Sequence, residues 1–358
     1  MAGVKRMDLR EKIKKVGIYL RYYFSYLLNR PLIYPKEVNF QMTNRCTLQC
    51  KMCNIWKLPR EKEEISVDEM KRILSEVKNW KNTKYVSFVG GESLIRMEET
   101  LELIEYANSL GFHTNLVSNA TLLNEAICKR LVEVGLDRIA LSLDGAKRET
   151  HDFIRGKGNF NQVIKAAKIF LKLKKDYHIK VDFTSVLMSY NFREFVDLYW
   201  LGKKIGVDQW FIQCLVLDNT FRSFDYNSPL WIKEGQLEKL KEVVNKLIEL
   251  KIKDKNFIHN SIDYLRAIPK YFELKKNFKL GKCMAGYFTL NIDPYGNINI
   301  CNFGPNINLI GKDVNEAWKN EKFKRTRILI KECKNPCMML CYQRFSFPEL
   351  LRTFLSGD

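Results

Sequence analysis

The sequence lacks any stretch of about 18 uncharged apolar residues, which argues against a transmembrane helix. Its charged start, residues 1–15, carries no apolar segment of the kind a secretory signal needs. It has no run of five or more basic residues, so no concentrated polybasic tail stands out. After Cys53 the next cysteine is Cys128 and the next histidine is His113. A compact zinc site with four neighbouring ligands is therefore missing from that part of the chain. With no signal sequence, ten cysteines point to a reducing compartment and to metal ligation rather than disulfides. The expected location is cytoplasmic.

Charge is abundant and lopsided. Against 41 Asp and Glu stand 60 Lys and Arg, a net charge of +19. That balance suits an anionic partner: nucleic acid, a membrane surface or an acidic substrate. Lysines spread over solvated helix faces give the same total. Residues 16–33 are rich in aromatic and aliphatic side chains, interrupted by Arg21 and Arg30. Two readings fit them: a helix packed on the domain that follows, or peripheral contact of residues 1–33 with an anionic inner membrane face.

Three cysteines fall within eight residues, Cys46, Cys50 and Cys53, at spacing C-x3-C-x2-C. Three is odd and the neighbours are close, so disulfides do not account for them. Thiolates on a tight loop suit an iron–sulfur cluster or zinc, and the plain alternative is three core cysteines. Three protein ligands leave one coordination position open.

The rest of the first two thirds alternates. Apolar runs at 37–42, 85–89, 114–120, 138–145, 179–187 and 209–216 read as strands. Segments of helical period lie between them, from Ser66-Val-Asp-Glu69, which has capping-box form, onward. Six strand–helix alternations predict an α/β fold, a parallel sheet curled into a partial (β/α)6 TIM-like barrel. Polar residues cluster after the strands: Gly90, Gly91 and Glu92; Ser118 and Asn119; Ser142 and Asp144. Ligands bind at such C-terminal strand ends. Asp144, followed by Gly145, reads as a turn former. Cys128 and Cys214 read as core. A long helix is expected over 231–251 and a second over 261–276.

The cysteine loop, the Gly90-Gly91-Glu92 turn and the His151-x-x-Ile154-Arg155-Gly156 loop together resemble the radical S-adenosylmethionine (radical SAM) superfamily. The resemblance implies a [4Fe–4S] cluster on Cys46, Cys50 and Cys53, with S-adenosylmethionine (SAM) chelated at its fourth iron. It also implies that Gly90, Gly91 and Glu92 take the methionyl ammonium, Ser118, Asn119 and Ser142 its ribose or carboxylate, and Arg155 its carboxylate. Met52 stands where the family usually has an aromatic residue, and Ser93 where it often has Pro.

Five more cysteines, Cys283, Cys301, Cys333, Cys337 and Cys341, lie near the C-terminus, with a hairpin at Pro294-Tyr295-Gly296. A cluster assembled from a hairpin and a distant loop fits them, with zinc as the alternative occupant. The pattern resembles the SPASM/twitch extension of the same superfamily. It implies one auxiliary [4Fe–4S] cluster on Cys283, Cys301, Cys337 and Cys341, with Cys333 spare. The expected organisation is a basic N-terminal segment (1–36), the barrel (37–216), a helical connector (217–280), a small α+β cysteine-rich iron–sulfur domain (281–345) and a tail (346–358). Residues 1–36 are too few for a fused leader-recognition domain, which lowers peptide maturation, and the basic, aromatic N-terminus favours a lipid or phosphorylated substrate; the substrate is left open among lipid, peptide and small molecule. A reductant such as ferredoxin or flavodoxin is implied. RNA modification, motivated by the charge, and a non-catalytic electron carrier are the rival readings.

Overall fold

A computed structural model describes residues 9–59, 63–216, 225–278, 281–298, 300–301, 307–334, 337–339 and 344–345. It opens with helix α1 (Leu9–Leu28). Strands and helices then alternate as β1 (Glu37–Gln41), α2 (Val67–Val77), β2 (Tyr85–Val89), α3 (Met97–Ser109), β3 (His113–Ser118), α4 (Glu125–Glu133) and β4 (Arg138–Ser142). Two helices, α5 (Arg148–Arg155) and α6 (Asn159–Leu173), precede β5 (Lys180–Leu187). Then come α7 (Phe195–Ile205), β6 (Gln209–Cys214), α8 (Leu237–Lys253) and α9 (Ile262–Leu274). The C-terminal part holds β7 (Lys282–Cys283), β8 (Thr289–Ile292), β9 (Asn297–Ile298), β10 (Ile307–Asn308), α10 (Val314–Lys319), α11 (Glu321–Glu332) and β11 (Arg344–Phe345).

Strands β1 to β6 lie in sequence order and all pair in parallel. The α/β fold with a parallel sheet is as the alternation predicts. Phe40, Phe88, Leu116, Leu141, Phe183 and Ile212, one from each strand, are all at 1% exposure or less. Each such side chain contributes about 1.5–3 kcal/mol relative to exposure. The outer edge of β6 is covered by the α8–α9 connection. Trp210 N donates to Phe257 O (2.7 Å), His259 N donates to Trp210 O (2.9 Å), and the Asn260 amide bonds both Ile212 N and Ile212 O. Covering an edge this way removes a site of unwanted strand pairing.

Two expectations need correction, and one feature was not expected: the hairpin at Pro294 extends the barrel's sheet. β8 pairs in parallel with β1, from Glu37↔Thr289 to Phe40↔Ile292, so the sheet continues past β1 as β8-β9-β10. The helix expected from residue 231 starts at Leu237, because Gln236 Oε1 takes the Lys233 N–H and turns the chain before the helix begins. Trp231 instead lies buried with its indole N–H on Phe272 O. The segment read as a loop around His151 is helix α5.

Helix α1 packs Tyr22 and Tyr26 on Met284, Tyr287 and Phe288. Its neighbours are thus C-terminal residues, beside the N-terminal ends of β1 and β8, where Lys36 N donates to Phe288 O (2.9 Å).

Candidate functional site

The cysteine loop leaves the C-terminal end of β1 and is held by backbone at two places. Gly91 N donates to Thr43 O (2.8 Å) and Glu92 N to Arg45 O (2.9 Å). Further on, Lys51 N donates to Ile154 O (3.0 Å), at the end of α5. The two glycines serve the first contact. Gly90 has φ +138°, and a Cβ on Gly91 would lie 2.0 Å from Arg45 O. Their close approach is to the loop's own backbone, as well as to the cavity they line.

Glu92 has no exposed surface. Its carboxylate accepts from Ser118 Oγ (3.0 Å), Asn119 N (2.8 Å) and Leu94 N (3.3 Å). Burial pushes its pKa up to about 7, against the pull of those donors. It sits behind the ends of β2 and β3, and its neighbours Ser118 and Asn119 face the cavity. The Ser118 hydroxyl is engaged twice, since it also accepts from Ala120 N. The Asn119 amide reaches Thr47 Oγ1 (3.1 Å) and Cys46 Sγ (3.6 Å).

Arg155, at the end of α5, donates from Nε to Asp144 Oδ2 (2.6 Å) and places Nη1 3.9 Å from Cys50 Sγ. Burial opposes its charge, yet Asp144 and Cys50 more than offset this and hold the guanidinium protonated. Asp144 is fully buried and also accepts from Val186 N (2.6 Å). Its role is therefore larger than the turn read from sequence. A buried aspartate beside a buried arginine is a fixed ion pair. His151, buried on the same helix, accepts from Asp144 N at Nδ1 (3.0 Å), so its Nε2–H donates to Asn159 Oδ1 (2.9 Å). Asn159 in turn donates to Asn119 O (2.8 Å). Burial, then Arg155, lower the His151 pKa, consistent with a neutral ring.

These elements enclose one cavity of about 260 Å³. Cys46, Cys50 and Cys53 line it, with Gly90, Gly91, Ser118, Asn119, Ser142 and Arg155. Of the residues singled out in the sequence, Glu92 alone among this group does not line it. Met52, Gln213 and Met339 do, although no motif marked Gln213 or Met339. Residues 40–200 match the family model described as the radical SAM superfamily. This part of the chain is similar to the radical SAM superfamily. The PqqA peptide cyclase of Bradyrhizobium diazoefficiens is 26% identical over 276 residues, covering 76% of this chain and 68% of the relative. The AdoMet-dependent heme synthase of Methanosarcina barkeri is 28% identical over 215 residues, covering 57% and 59%. SuiB of Streptococcus suis, solved with S-adenosylmethionine, shares the fold with a TM-score of 0.66 at 18% identity, covering 92% of this chain and 80% of that one. So does anSMEcpe, solved with AdoMet and the Kp18Cys peptide, with a TM-score of 0.65 at 18% identity and coverage of 90% and 96%.

Cys46, Cys50 and Cys53 offer the thiolates that an iron–sulfur cluster takes. Among the described residues no three His, Cys, Asp or Glu side chains converge on one ion-sized point. A cluster relaxes that demand, because each thiolate takes a different iron. Burial raises the pKa of Cys46 and pushes that of Cys50 up to about 11, so metal binding there must release their protons. Helix α5 supplies the Arg155 cation beside Cys50, which favours a net-negative thiolate cluster.

The C-terminal cysteines are spread over several elements. Cys283 lies on β7 and pairs with Arg344 on β11. Cys283 and Cys301 pack against the main core. Cys333 ends α11, and Cys337 immediately precedes Met338. The carbonyl of Met338 accepts from Gln213 Nε2 (2.8 Å) and Tyr264 OH (2.9 Å), which ties that segment to the end of β6. Cys341 lies outside the described residues. Cys128 and Cys214 are buried core residues.

Proposed function

We propose that this protein is a radical SAM enzyme that binds SAM at a [4Fe–4S] cluster on Cys46, Cys50 and Cys53 and abstracts hydrogen from a peptide substrate. One observation supports the assignment most: three thiols and a set of polar strand ends share one cavity. Cys46, Cys50 and Cys53 would hold the cluster, which would supply the single electron for reductive cleavage of SAM and so the means to abstract hydrogen from the substrate.

The chain's own residues hold and shield. The backbone of Gly90 and Gly91, with the negative potential of Glu92 behind it, suits the SAM ammonium. Asn119 and Ser142 offer polar atoms for its ribose or carboxylate, and Ser118 does so while orienting Glu92. Arg155 keeps its remaining guanidinium donors for a carboxylate while Asp144 fixes its position. Met52, Val186, Leu215 and Met339 provide apolar walls that keep water from the reacting carbon.

A peptide substrate is supported over the lipid and RNA readings by the names of a PqqA peptide cyclase, SuiB bound to precursor peptide SuiA, and anSMEcpe with a peptide, while the name of the heme synthase supports a small molecule. An auxiliary [4Fe–4S] cluster drawn from Cys283, Cys301, Cys337 and Cys341, with Cys333 spare, would exchange electrons with the substrate radical. A ferredoxin or flavodoxin would act as the primary donor. The test is anaerobic reconstitution followed by reduction with SAM. The intact chain is expected to form 5′-deoxyadenosine, and alanine at Cys46, Cys50 or Cys53 is expected to abolish it. Unchanged 5′-deoxyadenosine in those variants refutes the assignment. Iron and zinc content of the triple variant then decides the auxiliary site: roughly four iron atoms retained supports a cluster, and zinc alone refutes it.

A further inference from the structure

Helix α1 has two faces, and the fold covers one. Ile18, Tyr19, Tyr22 and Tyr26 turn toward Met284, Tyr287 and Phe288. Ile13, Leu20, Phe24, Leu27 and Leu28 stay exposed, with Phe24 at 49% and Leu28 at 60%. Steps of seven, four and three residues from Ile13 to Leu27, and of four from Phe24 to Leu28, put them on one stripe, opposite Tyr22 and Tyr26. Leu32, just beyond the helix, is exposed as well.

The borders of this stripe carry one sign of charge. Lys14, Arg21 and Arg30 are exposed. From Lys12 to Lys36 the sequence contains no Asp or Glu. The two readings left open by the sequence, a packed helix and an interfacial one, thus apply to opposite faces of the same helix.

An apolar stripe bordered only by cations matches the boundary between acyl chains and anionic headgroups. It matches a second copy of itself poorly, because self-pairing about a twofold axis sets cations against cations. We propose that α1 docks the protein on the surface of an anionic lipid bilayer, with Leu20, Phe24, Leu27 and Leu28 in the acyl boundary and Lys14, Arg21 and Arg30 among the headgroups. The helix lies on the bilayer; no helix among the described residues is long and apolar enough to cross it. Its inner face keeps its packing on the protein. It lies beside the N-terminal ends of β1 and β8, whereas the cysteine loop follows the C-terminal end of β1, so docking does not depend on the chemistry proposed for the site.

Flotation of the full chain with vesicles of phosphatidylcholine, with and without phosphatidylglycerol, tests this. Binding to the anionic vesicles is expected to be at least about tenfold stronger and to weaken with salt. Leu20→Ser with Phe24→Ser is expected to abolish it, and Arg21→Glu with Arg30→Glu to reduce it about tenfold or more. Both variants should keep the circular dichroism and iron content of the parent. Equal binding to neutral and anionic vesicles, or binding to neither, overturns the proposal. So does a concentration-dependent dimer that Phe24→Ser dissociates.

Discussion

Glu92 is buried beside the cavity, next to Ser118 and Asn119 that line it. Its carboxyl has a reference pKa of 4.5 and rises to about 7 in the fold, chiefly through burial. The folded chain therefore holds this proton more tightly between those values, and its contribution to stability falls as pH rises through that window. A cation in the adjoining cavity acts in the opposite sense, because it favours the carboxylate. SAM affinity should thus weaken as pH drops below about 7, by up to about tenfold per unit, and Glu92→Gln should flatten the profile. Anaerobic equilibrium dialysis across pH 6 to 8 reads this directly, and a flat profile for the unmodified chain contradicts it. Asp144 gives a second prediction. Its replacement by Asn strands the Arg155 cation in the interior, at a cost of about 3–5 kcal/mol measurable by denaturant unfolding. Little of this was legible in the sequence. Asp144-Gly145 reads as a turn dipeptide, and its true partner sits eleven positions later on a helix the sequence did not announce. His151 and Asn159 belong to the same gap, since a chain of buried hydrogen bonds has no periodicity to betray it.

At the scale of elements, the strands were the easiest features to read. β2 and β4 are short runs buried almost throughout, β1, β3 and β6 bury alternate residues, and β2, β3 and β4 are closed by polar residues. Helix α5 was missed because it has only eight residues and runs into Gly156 and Gly158. The turn after β2 was located correctly, but its glycines were assigned to ligand approach alone. The structure shows that Gly91 also makes room for the Arg45 carbonyl. Gly91→Ala should therefore displace the cysteine loop, lower stability by about 2–4 kcal/mol and prevent iron loading. Thermal unfolding and iron analysis of the variant check both effects, and normal loading would show that the loop tolerates the shift.

On the scale of the whole molecule, the segment expected from residue 281 joins the sheet of the barrel. Cysteines and a hairpin mark a new module, yet its strand β8 completes the sheet beside β1. Its helix α10 also packs on α2, where Val314 N donates to Glu76 (2.7 Å). Pairing between strands so distant in sequence leaves no local mark. A chain ending at residue 280 should consequently be aggregation-prone and lose the cooperative unfolding of the full chain, as light scattering and calorimetry would reveal. A well-behaved truncated monomer would show that β1 tolerates a bare flank. The same arrangement bears on biosynthesis. At roughly 5–20 residues per second, a ribosome makes β8 on the order of 10–50 s after β1. The first strand to emerge thus waits for a partner on its outer flank that is made long after it. Radioactive iron should accordingly be absent from stalled nascent chains that end before residue 289.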